Sequence, residues 1–147
     1  MRIATWNVER LKHKKHLEQI QDLCDSVHAD ILVLTETDKR LHPNYAFCCE
    51  SAPLLEDEAV HYAVTENRVS IYTNYPVIQL HQTYEPHTAV CAELKTKAGN
   101  LLVYGTIIGT LGNRHPSFME ELRWQRDDIR RPVSYTHLRA HETGRNL

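Results

Sequence analysis

Ile3-Ala4-Thr5-Trp6-Asn7-Val8-Glu9-Arg10-Leu11 and Ala29-Asp30-Ile31-Leu32-Val33-Leu34-Thr35-Glu36 are the two stretches that decide the fold. Each opens as a short apolar or β-branched run, the composition of a buried strand. Each then reaches a polar residue suited to a metal-bound phosphate. Asn7 and Glu36 are 36 − 7 = 29 residues apart, room for a strand, a helix and a second strand. A strand–helix–strand crossover is right-handed and leaves its strands parallel, so both polar residues emerge at one edge of the sheet. That edge, beyond the carboxyl ends of the strands, is where open α/β sheets take their ligands. A carboxylate and an amide there can serve a hard cation and a phosphoryl oxygen. A plainer reading stays open beside this one: an Asn in an Asx turn at a strand end, and a Glu at the start of a helix or loop.

The connecting segment supports the unit. From Leu11 to Val27, Leu17, Ile20, Leu23, Cys24 and Val27 recur at three- and four-residue steps, giving one apolar helical face, with Lys12, Lys14, Lys15, Glu18 and Asp22 mostly on the rest. His13 and His16 have a spacing that could grip a metal, but with no third ligand nearby they read as solvated histidines. Tyr45–Cys49 is a short strand candidate, and Glu56-Asp57-Glu58 reads as a solvated acidic loop. From about His61 the pattern turns to β, with candidate strands at Ala63-Val64, Val69–Tyr72, Val77–Leu80, Thr88–Leu94 and Leu101–Ile108. Lys97-Ala98-Gly99-Asn100 reads as the hairpin turn between the last two. Ser117-Phe118-Met119-Glu120 fits a capping box opening a second helix. Its apolar stripe would be Phe118, Leu122 and Ile129, with Arg123, Arg126, Arg130 and Arg131 facing solvent.

The two opening motifs, in this order and spacing, resemble the start of the endonuclease/exonuclease/phosphatase superfamily, the DNase-I-like fold. The resemblance implies a four-layer α/β sandwich, two packed mixed β-sheets with helices outside. It also implies Mg²⁺ (Mn²⁺ as the alternative) held by Glu36, with Asn7 beside it orienting phosphate or an active-site carboxylate. Asn67–Val77 resembles the family block that flanks the substrate groove, so Arg68 is a candidate for meeting a substrate phosphate, against the plainer reading of a surface Arg on a strand. Leu101–Gly109 resembles the strand that delivers a catalytic Tyr or His at its end, and here Thr106 holds that place. The family's later Asp-x-Asn and Asp-His motifs do not occur in the sequence. The expectation is therefore that residues 1–132 are the N-terminal part of such a domain, truncated and inactive as it stands. The function implied for the full-length parent is metal-dependent phosphoester hydrolysis, as a phosphodiesterase, nuclease or phosphatase. The alternative is a non-catalytic binding protein that keeps the same fold. The partner is a phosphoester substrate, with nucleic acid among the candidates.

Val133-Ser134-Tyr135-Thr136-His137-Leu138-Arg139-Ala140-His141-Glu142-Thr143 shows neither apolar period nor turn residues. It reads as the in-frame translation of a transposase-type sequencing adapter, so residues 133–147 are expected to be a non-native tail. Without them the formal charge moves from −2 to −3, since Lys+Arg falls from 17 to 15 and Asp+Glu from 19 to 18.

Composition bounds the rest. A chain of 147 residues with 41% hydrophobic and 24% charged residues suits one globular domain. A net charge of −2 supplies no global basic field, which argues against a pure DNA-binding module more than against an enzyme that grips phosphate through a metal. Cys24, Cys48, Cys49 and Cys91 form no C-x-x-C pair and read as reduced thiols. No signal peptide or membrane span is legible, so a soluble cytoplasmic protein is expected. Gly109-Thr110-Leu111-Gly112-Asn113 matches no nucleotide-binding glycine motif.

Overall fold

The strand that begins at Ile31 is buried on both faces, which is why it reads as a nearly unbroken apolar run. The computed structural model describes residues 1–11, 16–53, 63–108 and 118–143. In it β2 (Ile31–Asp38) is flanked by β1 (Ile3–Asn7), parallel to it, and by β4 (Glu66–Thr73), antiparallel; β3 (Phe47–Glu50) closes the far side, giving the order β1-β2-β4-β3. A second sheet, β5 (Val77–His81), β6 (Ala89–Thr96) and β7 (Gly99–Thr106), is an antiparallel meander in that order. The first sheet is mixed as expected; among the described residues the second is wholly antiparallel, because short turns join its three strands.

Alternation along β2 and β4 divides the core in two. Leu32, Leu34 and Tyr72 face α1 (Leu17–Ser26) and pack with Ile20, Cys24, Leu41 and Val8. Ile31, Val69 and Ile71 face the second sheet and pack with Val90, Ala92 and Leu94. On the far side of the second sheet lies α2 (Phe118–Thr143), where Asp128 Oδ2 accepts the Tyr104 hydroxyl at 2.8 Å. Helix, sheet, sheet and helix thus form the expected four layers.

Several local expectations change. Of the expected helix Leu11–Val27, Leu11 closes a 3-10 turn (Glu9–Leu11) and α1 runs Leu17–Ser26; residues 12–15 lie outside the described residues. Of its proposed apolar face, Ile20 and Cys24 are buried and Leu17 packs against them, while Leu23 is 55% exposed. Ala63 and Val64 are not a strand; they enter the turn from which β4 starts, with Glu66 N–H bonded to the Ala63 carbonyl. In α2 the stripe Phe118, Leu122 and Ile129 is exposed, and the helix instead seats Gln125 and Asp128. Asp128 accepts the Tyr84 N–H and the Tyr104 hydroxyl, so polar bonds to the sheet, not the apolar stripe, set the helix rotation. Burial first, then the bond to Asp128 and its charge, push the Tyr104 phenol well above its ordinary value. Arg131 is partnered, bonding Asp128 at 2.8 Å and lying over the Tyr84 ring. The helix runs on to Thr143, through residues whose sequence carries no apolar period. His13, Glu56-Asp57-Glu58, Gly109–Asn113 and Ser117 lie outside the described residues.

Gly105 sets the distance between the sheets. A Cβ there would stand 2.7 Å from Val69 Cγ1 and 3.3 Å from Ile71 Cγ1 and Val33 Cγ1. Gly105→Val is expected to force β7 off β4 and to destabilise the chain by about 1–3 kcal/mol, the cost of overpacking a core. Urea denaturation measures this, and an unchanged midpoint would show that the sheets part without strain.

Candidate active site

The parallel ladder of β1 and β2 ends with Asn7 opposite Thr35, one residue before Glu36. The Val8 N–H continues it by bonding the Thr35 carbonyl at 3.0 Å. Asn7 and Glu36, singled out by their place in sequence, therefore stand at the same end of adjacent strands. The Asn7 side chain also makes the Asx turn anticipated as its plainer role, its Oδ1 accepting the Glu9 N–H at 2.9 Å. The two readings are compatible, because that bond engages Oδ1 and not the amide nitrogen.

The backbone here is strained. Glu9, Arg10 and Glu36 have φ of 50°, 57° and 48°, left-handed values that non-glycine residues rarely adopt. Such residues cost about 1–3 kcal/mol each and persist only where the surroundings hold them. At Glu36 the strain coincides with a gap in the ladder: Thr35 pairs with Val69 and Thr37 with Asn67, while Glu36 and Arg68 face each other between those pairs. Just below, Thr37 Oγ1 and Asn67 Oδ1 are buried without a hydrogen-bond partner among the described residues.

Three carboxylates at this rim each meet an arginine, in two different ways. Asp38, fully buried, accepts Arg40 Nε at 2.9 Å and the Thr65 hydroxyl at 3.0 Å. Burial raises its pKa, but the bonds from Arg40 and Thr65 and the Arg40 charge outweigh that and hold it below the ordinary 3.8. Glu66, 8% exposed, accepts Arg10 Nε at 2.8 Å, which ties the strained turn after Asn7 to the start of β4. Glu36 is different: its Oε1 lies 3.9 Å from Arg68 Nη1, and its side chain is 25% exposed. Two rim carboxylates are thus locked by close bonds, and the third stands in an open pair. Arg68 is partly buried on β4, its side chain 14% exposed.

Thr106 ends β7 opposite Ala89, and its hydroxyl donates to the Thr88 carbonyl at 3.3 Å, a bond within its own sheet. Sequence reasoning missed Asp38, Glu66 and Arg10 as builders of the rim. The one signal available was the polar composition of residues 37–44, with Asp38, Lys39, Arg40, Pro43 and Asn44, which is loop chemistry on its face.

No three His, Cys, Asp or Glu side chains among the described residues converge as a metal cluster. Glu36 offers one hard oxygen ligand, which fits Mg²⁺, a cation commonly held by one or two carboxylates with water and substrate phosphate completing its shell.

The model of the Endonuclease/Exonuclease/phosphatase family matches residues 4–140. No curated protein matches the chain. Among solved structures, an endonuclease/exonuclease/phosphatase from Beutenbergia cavernae DSM 12333 superposes with a TM-score of 0.58 at 16% identity, over 89% of this chain and 44% of its own. The endonuclease domain of TRAS1, a telomere-specific non-LTR retrotransposon, gives a TM-score of 0.52 at 16% identity, over 83% of this chain and 52% of its own. The chain spans about half the length of the solved structures it matches.

Asp38→Asn is expected to destabilise the chain by about 1–3 kcal/mol, the cost of weakening charge-assisted hydrogen bonds to a buried carboxylate whose arginine partner reaches solvent. A carboxyl depressed in the folded state contributes its stability above its unfolded value and loses it as pH falls through the folded value. The gap between wild type and variant in urea denaturation should therefore be full at neutral pH and shrink below the ordinary value of 3.8. A pH-independent gap would contradict the assignment.

Proposed function

Because the chain belongs to the endonuclease/exonuclease/phosphatase family, we propose that it supplies the cation- and phosphate-binding rim of a divalent-metal-dependent phosphoester hydrolase. The observation that carries the proposal is the placing of Asn7 and Glu36 at neighbouring ends of parallel strands, through the Asn7–Thr35 pairing. Glu36 is the residue proposed to hold Mg²⁺ or Mn²⁺. The chemistry supplied by such a cation is neutralisation of charge on the phosphoryl oxygens. Asn7 donates from its amide nitrogen to a phosphoryl oxygen, its orientation fixed by the bond to Glu9 N–H. Arg68 adds a second positive group at the same rim. A nucleic-acid phosphodiester is the substrate we place first, by analogy with the TRAS1 endonuclease domain.

A second reading, a binding protein on the same scaffold, is favoured by the Thr106 hydroxyl being spent on Thr88. Lack of a general base costs about 10²–10⁴-fold in rate. The 147-residue chain alone is therefore expected to bind cation and phosphate without measurable Mg²⁺-dependent turnover, and turnover would favour the hydrolase over the binding protein.

The shared site has a direct test. In ¹⁵N-labelled protein, Mn²⁺ should broaden the Asn7 side-chain amide resonance, and Glu36→Gln should abolish that broadening. Asn7→Ala should weaken inorganic phosphate binding in the presence of Mn²⁺ by roughly tenfold or more, the worth of a hydrogen bond to a charged group. Broadening that survives Glu36→Gln removes the proposal.

A further inference from the structure

The open pair at the rim carries one step more. Glu36 and Arg68 face each other across β2 and β4 at the gap in the ladder, and the carboxylate and guanidinium are 3.9 Å apart. That distance is an ion pair without the close hydrogen bond made by Arg40 to Asp38 or by Arg10 to Glu66. The carboxylate is therefore neutralised but keeps lone pairs for a ligand. Arg68 is 14% exposed and rooted in a central strand, so its positive charge cannot retire far into solvent.

We propose that Arg68 is the built-in counter-ion of Glu36, opposing a divalent cation at that carboxylate and reinforcing an anionic phosphate beside it, so that cation and phosphate bind cooperatively. The proposal rests on the reading of Glu36 as the cation ligand. Its physics is that of like and unlike charges sharing a partly buried site. A fixed guanidinium next to Glu36 satisfies the carboxylate while the site is empty and repels a second cation that arrives there. A phosphate accompanying that cation brings negative charge which the same guanidinium attracts, in the planar geometry that suits arginine to phosphate. Each ligand then tightens the other by the same factor, as linkage requires.

The test is Mn²⁺ binding to the full chain, followed by the electron paramagnetic resonance signal of unbound Mn²⁺, with and without inorganic phosphate. Arg68→Gln and Arg68→Met, which remove the charge, should bind Mn²⁺ alone about tenfold or more tightly than wild type, as expected for the loss of a neighbouring like charge. Both should lose most of the strengthening that phosphate gives the wild type. Arg68→Lys keeps the charge and should keep the weak Mn²⁺ binding, while losing part of the phosphate effect with the fork. Far-UV circular dichroism confirms that each variant is folded; if the neutral ones are not, the lysine variant still reads the guanidinium's part in the phosphate effect, and an undiminished phosphate effect there overturns the proposal. Unchanged Mn²⁺ affinity in the neutral variants, with binding that Glu36→Gln still abolishes, overturns the counter-ion role and leaves the cation site standing. Mn²⁺ binding that is the same in wild type and Glu36→Gln overturns both.

Discussion

Five residue pairs between β1 and β2, from Ile3 with Ile31 to Asn7 with Thr35, constrain everything at the rim. Were the two strands antiparallel, or slipped by one residue, Asn7 and Glu36 would part or change faces. The register is held at both ends. The Arg2 carbonyl accepts the Asp30 N–H at 2.8 Å at one end, and the Thr35 carbonyl accepts the Val8 N–H at the other. It is held through its middle by the burial of Ile31, Leu32 and Leu34, each at most 2% exposed. A shift of one residue would turn those side chains from one core into the other. The hydrophobic cost of that slip protects the geometry of two polar groups that contribute nothing to the core themselves.

The strain at Glu9, Arg10 and Glu36 makes sense within that frame. Three non-glycine residues in left-handed conformation would be a liability in an unsupported loop. Here Arg10 is bonded to Glu66, and Glu9 N–H to Asn7. Glu36 is flanked by register pairs on both sides. The buried Asp38, bonded to Arg40 and Thr65, fixes the chain just beyond it. The close pairs thus act as struts, and the open pair at Glu36 is what they leave accessible. Relaxing Glu36 into an ordinary strand conformation would remove its strain, but the struts on either side leave the backbone little room to do so.

Much of this was legible from the sequence and some was not, for physical reasons. The parallel unit could be read because burial on both faces writes a continuous apolar run into Ile31–Leu34, and because the number of residues between the motifs fits one helix. The strands from Val69 to Ile108 could be read from alternation, with ends displaced by up to three residues. Cross-strand partnership could not: nothing local to Arg68 says that it faces Glu36, since only the register of β2 against β4 puts them opposite each other. The second helix misled for a related reason. Its apolar residues Phe118, Leu122 and Ile129 have helical spacing, yet Asp128, a polar residue with bonding partners on two other segments, decides which side faces the sheet. An amphipathic pattern reports which face could be buried. A polar residue with fixed partners can override it.

The charge balance of the rim bears on how such a site would meet a polyanion. Asp38, Glu36 and Glu66 are each matched by an arginine, Arg40, Arg68 and Arg10, so these three pairs add no net charge, and the whole chain carries only −2. Long-range attraction is weak under those conditions and falls off within about 10 Å at ordinary ionic strength. On the proposed function, selection of a phosphate would rest on contacts made at short range: an amide nitrogen on β1, a carboxylate on β2 and a guanidinium on β4. Three strands each contribute one group, and the rigidity of the sheet fixes their spacing. A site built from such pairs would discriminate by geometry where a basic groove would discriminate by charge, with the left-handed backbone at Glu36 as part of that geometry.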